Sequence, residues 1–364
     1  MATLAIPKLG KEQLQLRKIA AFRDLRVLAW SGDLLYASRK YELLRARIAS
    51  RTDSIQWGHV AKVNPHWCRI LTCSSRLTAR LFRDGFHALE VLPSGYLVGT
   101  VPGAIVTLRP GDSEFQITHR VRRGTRPLHL AATPDGAVYW GEYFDNPDRD
   151  AVHVYRSVDG GFHWEIAFTF PKHRIRHVHN IVYDKWADCL WVLTGDDGPE
   201  CQILRASCDF SDIEVVLAGS QQARAVALVP RRDALYFSSD TPFETNHIYR
   251  LDRRGSLTEV ATLSSSSICG CAVGESIFFS TMVEPSCTNA SRTVAVYGSP
   301  DGKNFDRLLS WGKDSWPMRL FQYGNSFFPD GNNAGETLAI TTIAVDKADY
   351  ESSFWNVDLL ENSE

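Results

Sequence analysis

The chain has 364 residues, of which 44% are hydrophobic and 23% are charged, with 25 glycines and 16 prolines. This composition excludes a disordered chain and a collagen-like chain. The net charge of −2, from 40 basic and 42 acidic residues, argues against a nucleic-acid-binding protein. The sequence has no apolar run of the roughly 20 residues that a membrane span needs. Because residues 1–17 lack the apolar core of a signal peptide, a cytoplasmic protein is expected.

A short apolar segment followed by a polar loop recurs seven times along the chain. The copies are Asp33–Ser38, Gly95–Thr100, Gly136–Gly141, Cys189–Thr194, Ala234–Ser239, Ser276–Thr281 and Thr337–Thr342. A second apolar segment follows most copies, and its end falls at equivalent positions 109, 156, 205, 250 and 298. A period of about 40–50 residues with several strands per unit is typical of a β-propeller.

Four strands can be placed in each complete unit, as in blade three at Leu128–Ala132, Ala137–Trp140, Val152–Arg156 and Trp164–Phe170. The last unit has strands near 318–323, 337–344 and 353–358 and lacks a fourth. We expect the N-terminal segment Gln13–Phe22 to supply this strand and close the ring, because closure removes aggregation-prone sheet edges. The fold prediction is therefore an all-β, seven-bladed propeller forming one domain over residues 1–364, with six blades as the alternative.

An insertion at 64–85 separates blade one from blade two. Within it, residues Pro65–Arg83 predict a helix, because the apolar residues fall near helical spacing. These residues are Trp67, Ile70, Leu71, Leu77 and Leu81.

Three segments share a turn motif. Ser157-Val158-Asp159-Gly160-Gly161-Phe162-His163-Trp164 follows the pattern S-x-D-x-G-x-x-W, Ser299-Pro300-Asp301-Gly302 begins a shorter variant, and Ser207-Cys208-Asp209-Phe210 is a degenerate copy. The motif resembles the Asp-box, or BNR repeat, of sialidase-like β-propellers. The resemblance implies that each turn follows the third strand of a blade, on the face opposite the usual active site. It also implies structural roles for Ser157, Asp159, Gly161, Trp164, Ser299 and Asp301.

The chain departs from the sialidases themselves. It has no Phe-Arg-Ile-Pro segment near its start, and the arginine triad and Tyr/Glu pair of sialidases cannot be assigned to its residues. The resemblance therefore implies a glycan-binding or glycan-cleaving protein that acts on an acidic saccharide, as a glycoside hydrolase or a polysaccharide lyase. The alternative is a non-catalytic scaffold or binding module in a protein or polysaccharide-related assembly, because fold alone does not decide function.

Propeller geometry predicts where a ligand site would lie. Loops between second and third strands share a face with the starts of the innermost strands, so residues of both groups should meet at one mouth. An acid follows the second strand in four consecutive blades: Glu142, Asp196, Asp240 and Glu284. Basic or imidazole groups begin the innermost strands: His87, Arg126, His129, Arg176, His177, His179, Arg224 and Arg319.

Three chemistries fit this mouth. A carboxylate pair could hydrolyse a glycosidic bond, or a histidine with Tyr143 could abstract a proton beside a uronate carboxylate. His129, His177 and His179 with Asp196 could instead bind a divalent metal ion, although no cofactor is assigned. The predicted catalytic residues are His177, His179, Asp196, Glu142 and Tyr143. The predicted substrate-binding residues are His129, Arg176, Arg224, Asp240, Glu284 and Arg319.

Overall fold

The computed structural model describes residues 13–48 and 54–360. Its first strand, β1 (Gln13–Arg23), is followed by the first blade, whose strands run outward from the channel. They are β2 (Arg26–Gly32), β3 (Leu34–Arg39), β4 (Glu42–Arg47) and β5 (Gly58–Lys62).

The insertion is helical, as predicted, but it forms two short helices, α1 (Trp67–Thr72) and α2 (Arg76–Phe82), in place of one helix over Pro65–Arg83. The chain turns between them, and the Ser75 side chain caps α2 by accepting a hydrogen bond from Thr78 N at 3.2 Å. The apolar residues do not all face the ring, since the Trp67 side chain is 65% exposed. Contacts to the ring come from two arginines of α2: Arg80, which is buried and donates from Nε to the Phe321 carbonyl at 2.9 Å, and Arg76, which donates to both carboxylate oxygens of Asp349 at 2.9 and 3.0 Å.

Blades two to six are antiparallel sheets with the chain running outward strand by strand. Blades two and three are β6 (Leu89–Val91), β7 (Leu97–Val101), β8 (Ala104–Leu108), β9 (Gln116–Arg120), β10 (Ala131–Ala132), β11 (Val138–Gly141), β12 (Val152–Ser157) and β13 (Glu165–Phe170). Blades four and five are β14 (His177–Asp184), β15 (Cys189–Gly195), β16 (Gln202–Ala206), β17 (Ile213–Ala218), β18 (Ala225–Pro230), β19 (Ala234–Ser239), β20 (His247–Asp252) and β21 (Leu257–Thr262). Blade six is β22 (Ser267–Val273), β23 (Ser276–Thr281), β24 (Thr293–Ser299) and β25 (Asp306–Gly312). Two 3-10 turns lie at Gly198–Glu200 and Gln221–Ala223.

The last segment departs most from the prediction. Residues near 318–323, predicted as the inner strand of blade seven, instead form the short helix α3 (Met318–Phe321) behind Pro317, and the inner strand is β26 (Asn325–Phe327). The next strand, β27 (Asp330–Asn333), leaves this blade and pairs in parallel with β2 of blade one, with Ala29 opposite Asp330. Blade seven is completed by β28 (Thr337–Ile343) and β29 (Glu351–Leu360).

Strand β1 closes the ring as the outermost strand of blade seven. It pairs antiparallel with β29 from Gln13 opposite Leu360 to Arg23 opposite Glu351, with one irregularity between Lys18 and Ala20. The described residues thus form seven blades, which confirms the predicted seven-bladed propeller and excludes the six-bladed alternative.

Apolar faces of neighbouring blades pack together to form the core. Between blades two and three, Val98 and Ile105 contact Val138 and Trp140, all nearly inaccessible to solvent. The Trp140 ring also stacks on Tyr155 with 4.3 Å between centroids. Burial of such side chains supplies the main favourable free energy of folding. The core therefore combines packing between blades with aromatic stacking inside blade three.

The three Asp-box-like turns follow third strands, as the resemblance implied. In the first, Asp159 Oδ1 accepts hydrogen bonds from Phe162 N at 3.0 Å and His163 N at 2.9 Å, and Ser157 Oγ accepts one from Gly161 N at 2.9 Å. The Trp164 indole donates to the Gly161 carbonyl at 3.0 Å. In the turn after β24, Ser299 Oγ accepts from Gly302 N, and Asp301 accepts from Lys303 N, both at 2.9 Å. These side chains hold hairpin turns and do not line the mouth described below.

Within the part of the chain that the structure describes, we find no helix with the length and apolar character needed to cross a membrane.

Closure of the ring can be tested at Leu14 of β1, which is 5% exposed and packs in the core beside blade six. We expect Leu14→Ala to lower the free energy of unfolding by about 2–4 kcal/mol, because it leaves a cavity where the first strand meets the last blade. Denaturant-induced unfolding measures the change. Leu359→Ala is the matched control, since Leu359 lies opposite Leu14 in the ladder but is 54% exposed. Equal effects of the two substitutions would contradict this account of closure.

Candidate functional site

A cavity of about 510 Å³ opens at one end of the central channel. Starts of innermost strands and loops from several blades line it, as propeller geometry predicted. A second cavity of about 800 Å³ occupies the other end. Five residues line both cavities and therefore mark where the two meet: His129, Ile268, Cys269, Phe328 and Asp330. Phe328 and Asp330 come from the segment around β27, so this segment lies at the boundary between the two cavities.

Some predicted site residues line the first cavity and others do not. Those that line it are His129, Tyr143, Arg176, His177 and Asp196. The lining does not include His179, Arg224, Asp240, Glu142, Glu284 or Arg319. Several residues outside the lining form ion pairs with other side chains of the protein. Glu142 pairs with Arg123, and Arg224 pairs with Asp196.

Two histidines and an aspartate form a compact cluster at the cavity wall. His177 and His179 begin β14, and Asp196 directly follows β15. The Nε2 atoms of the two imidazoles lie 3.1 Å apart. Nε2 of His179 is 3.2 Å from Asp196 Oδ1, and Nε2 of His177 is 3.5 Å from Asp196 Oδ2. Of the described residues, these three form the one group of His, Cys, Asp and Glu side chains close enough to share a metal ion.

Burial and charge set the ionisation of this cluster. Burial opposes ionisation of Asp196, but the neighbouring imidazoles outweigh burial and hold the pKa of this carboxyl well below its usual range. Burial lowers the pKa of His179, and His177 lowers it further, while Asp196 acts in the opposite direction. Asp196 is therefore a carboxylate at neutral pH.

Arg224 links the cluster to two further acids. Its Nη2 lies 3.2 Å from Asp196 Oδ1 and 3.9 Å from Asp240 Oδ2. Burial raises the pKa of Asp240 to about 8, Glu284 and Asp196 add to the rise, and Arg224 opposes it. Burial also raises the pKa of Glu284. Asp240 is buried and Glu284 is half-buried, and neither lines the cavity.

Glu142 and Tyr143, predicted to be catalytic, have roles set by their neighbours. The Arg123 guanidinium donates from Nε to Glu142 Oε1 at 2.9 Å and from Nη2 to Oε2. The backbone N of His153 also donates to Oε2, at 2.8 Å. Glu142 is therefore occupied in a buried ion pair. Burial raises the pKa of Tyr143 to about 12, with Asp196 and Asp240 adding to the rise, so this phenol is a hydrogen-bond donor at neutral pH.

Of the remaining predicted residues, His129 and Arg319 lie apart from the cluster, and Arg176 contacts it through Asp196. His129 Nδ1 is 3.4 Å from Asp330 Oδ2, so His129 does not join His177 and His179 as a fourth ligand. Arg176 pairs with Asp145 and also lies 3.6 Å from Asp196 Oδ2. Arg319 is on α3 and not at the start of an inner strand, because Met318–Phe321 is helical.

A cationic cluster lies on another part of the cavity wall, and sequence reasoning found only part of it. It consists of Arg26, Arg83 and Arg126 with His87 among them. Arg126 Nη1 donates to the Arg83 carbonyl at 3.2 Å, and Arg26 Nη2 donates to the His87 carbonyl at 3.1 Å. Burial and the guanidinium groups of Arg26 and Arg83 lower the pKa of Arg126 to about 9. Arg26 could have been found, because it begins β2 as the other basic groups begin their strands.

Comparisons with known proteins support the fold. No protein-family profile matches the chain, and its sequence matches no curated protein. A chain of the mitotic checkpoint complex crystal structure is similar, with a TM-score of 0.54 and 12% identity over 98% of each chain. The WD40 β-propeller domain of Doa1 has a TM-score of 0.53 and 11% identity, covering 94% of this chain and 97% of that one.

The extracellular domain of BT4673 from B. thetaiotaomicron also has a TM-score of 0.53, with 12% identity over 93% of this chain and 39% of that one. These neighbours include a WD40 domain and an extracellular domain, all at low identity, and they support the fold alone. They give no support to the predicted sialidase-like family.

The buried acid Asp240 predicts a pH dependence of stability. Its folded-state pKa of about 8 lies above the ordinary value of 3.8, so the folded protein holds this proton more tightly than the unfolded chain. Its contribution to stability is present below about pH 4 and is lost as the pH rises towards 8. We expect the wild-type protein to lose up to about 4 kcal/mol of unfolding free energy relative to Asp240→Asn between pH 5 and pH 8.

Denaturant unfolding at several pH values, with a chelator present, measures this difference. Asp306→Asn changes an exposed carboxyl at the start of β25 and is the matched control. Parallel pH profiles for the wild-type protein and Asp240→Asn would contradict the assignment.

Proposed function

We propose that the protein binds a small acidic saccharide in the 510 Å³ cavity at the mouth of the channel. The observation that carries the proposal is the uncompensated cationic cluster of Arg26, Arg83 and Arg126, which surrounds His87, an imidazole whose pKa is lowered well below its usual range by burial and by these arginines. Among the described residues, no carboxylate oxygen lies within 4.0 Å of the three guanidinium groups. An anionic ligand would supply the missing countercharge.

Because Arg26 is buried, the cluster belongs to the cavity wall and is not a solvated surface patch. Arg26 is 9% exposed, and its Nε atom has no hydrogen-bond partner among the described residues. A buried donor without a partner costs free energy, and a charged one costs more. A planar guanidinium matches the two oxygens of a carboxylate. Such an acid group would satisfy Arg26 and reduce the repulsion between the neighbouring cations.

The rest of the lining suits the body of a sugar. Aromatic rings of Tyr143, Phe144 and Phe327 face the cavity, and Phe327 already lies under Arg26 at 4.7 Å. Polar side chains from Thr125 and Asn325 are available for hydroxyl groups. The volume falls in the range of about 300–1,000 Å³ that is usual for small-ligand sites. This mixture of rings, amides and cations favours a uronate-like saccharide over a purely apolar ligand.

Binding is better supported than cleavage. Of the predicted catalytic carboxylates, Glu142 is held by Arg123, and Asp196 already contacts two imidazoles and two guanidinium groups. A glycosidase needs two carboxyl groups that both reach one glycosidic bond. A lyase base at Tyr143 would have to ionise a phenol whose pKa is raised to about 12. We therefore propose recognition of the saccharide as the function of the mouth.

We expect Arg126→Gln to weaken binding of a uronate-containing oligosaccharide by about tenfold or more, because a charge-assisted hydrogen bond is lost. Arg126 is half-buried at the rim, so this change perturbs folding less than Arg26→Met would. Isothermal titration calorimetry against a panel of acidic and neutral oligosaccharides measures the affinities. Arg250→Gln, which removes an arginine paired with Asp233 at 2.8 Å in the third strand of blade five, is the control.

Several outcomes would overturn the proposal. Equal affinity for neutral and acidic saccharides would remove the role of the cationic cluster, and so would unchanged binding by Arg126→Gln. No binding to any member of the panel would end the saccharide assignment itself. Incubation with the bound saccharide, followed by assays for reducing ends and for unsaturated uronate, tests the cleavage that the geometry disfavours.

A further inference from the structure

We propose that His177, His179 and Asp196 bind one divalent first-row transition-metal ion, of the Zn²⁺ type, at the wall of the mouth cavity. The inference rests on the arrangement of hydrogen atoms and lone pairs in this cluster. It is independent of the saccharide proposal, because it concerns different side chains and a different class of ligand.

The backbone places the three groups together. The register of β14 against β15 shifts between Val178 and Asn180, so His179 is the extra residue of a β-bulge. Bulges re-aim side chains and often occur beside functional sites. His177 lies opposite Gly195, which directly precedes Asp196 in the chain. His177 and His179 therefore extend from β14, and Asp196 extends from the end of β15, the strand that pairs with β14.

The hydrogen bonds on the far side of each imidazole fix its tautomer. His177 Nδ1 is 3.0 Å from the Phe144 carbonyl oxygen, and His179 Nδ1 is 2.9 Å from the Ala225 carbonyl oxygen. A carbonyl oxygen can only accept, so each Nδ1 must carry the hydrogen and donate it. In a neutral imidazole, Nε2 then has a bare lone pair.

With both imidazoles neutral, the three facing atoms are all acceptors, whereas a proton on one Nε2 would let that imidazole donate to Asp196. The two Nε2 atoms lie 3.1 Å apart. Nε2 of His179 is 3.2 Å from Asp196 Oδ1, and Nε2 of His177 is 3.5 Å from Oδ2. Acceptors held this closely in a buried place repel one another unless a cation lies among them. Imidazoles that donate through Nδ1 to a carbonyl and coordinate through Nε2 are the usual arrangement at protein metal sites.

Packing holds the imidazoles in place. His177 and His179 are 5% and 3% exposed, and the Tyr143 ring lies 4.3 Å from the His177 ring. A Cβ atom on Gly195 would lie 2.8 Å from Cε1 of His179, so a larger residue there would displace the ring. Because His177 and Asp196 line the cavity, the remaining coordination positions of the ion would face the mouth.

The two arginines beside Asp196 are compatible with an ion. Arg224 Nη2 lies 3.2 Å from Oδ1 and Arg176 Nη1 lies 3.6 Å from Oδ2, as hydrogen-bond partners commonly surround a ligating carboxylate. Arg176 has a further charge partner in Asp145, and Arg224 Nη2 also lies 3.9 Å from Asp240 Oδ2. Two imidazoles and one carboxylate favour Zn²⁺ and its neighbours, whereas Mg²⁺ and Ca²⁺ prefer oxygen ligands.

The test uses the full chain, treated with a chelator, dialysed and titrated with ZnCl₂ alone by isothermal titration calorimetry. We expect one ion per chain and a rise in the thermal unfolding temperature, with no such response to MgCl₂. Co²⁺ in place of Zn²⁺ should give visible absorption bands that report nitrogen and oxygen ligands. His177→Ala, His179→Ala and Asp196→Asn should each weaken Zn²⁺ binding by about a hundredfold or more, beyond the 10–100-fold typical of outer hydrogen-bond partners.

His247→Ala is the matched control, since it removes a half-buried imidazole whose Nδ1 lies 2.7 Å from Glu259 in blade five. Circular dichroism checks that each variant is folded, and the nearly isosteric Asp196→Asn keeps the test open if an alanine variant fails to fold.

Zinc binding that is unchanged in all three variants would overturn the site. Absence of binding by the wild-type chain would also overturn it, and nitrogen-15 imidazole spectra would then show a proton on Nε2 instead. None of these readouts needs a saccharide, so failure here leaves the first proposal standing.

Discussion

The pairing of β1 with β29 is the interaction on which the rest of the structure depends. Seven blades of an open arc would expose two sheet edges and leave the channel without fixed walls. The ladder from Gln13 to Arg23 joins the start of the described chain to its end, so every blade has a neighbour on both sides. The mouth exists because the ring is closed, since its lining comes from strands that are distant in sequence, such as Arg26 and Phe327.

Charge is divided within that mouth. One part of the wall gathers Arg26, Arg83 and Arg126 and lacks a nearby carboxylate among the described residues, so it favours an anion. Another part points acceptor atoms of His177, His179 and Asp196 at one another, so it favours a cation. The near-zero net charge of the sequence conceals this separation, because opposite local excesses cancel in the sum. If both proposals hold, an acidic saccharide could contact the arginines while its oxygens approach the ion.

Local pattern was enough to predict the blades. Each repeated apolar segment became the second strand of a sheet, and Gln13–Phe22 was recognised as the closing strand because the last unit lacked one. Prediction was weaker where long-range contacts decide the outcome. Residues 318–323 have a strand-like apolar content but form α3, and β27 leaves its own blade to pair with β2. The insertion breaks into two helices whose apolar residues stay largely exposed, because polar contacts of Arg76 with Asp349 and of Arg80 with Phe321 attach it to the ring.

Strand periodicity and loop position are local properties, so the sequence alone revealed the repeat, favoured seven blades over six and located many of the polar residues near the mouth. Only the tertiary structure decided which of those residues face a ligand. Glu142, an acid at the same repeat position as Asp196, is bound by Arg123, whereas Asp196 meets two imidazoles. Ionisation and accessibility depend on burial and on partners in the same blade and in the loops that join it to its neighbours. Equivalent positions in a repeat therefore acquire different chemistry once the ring closes.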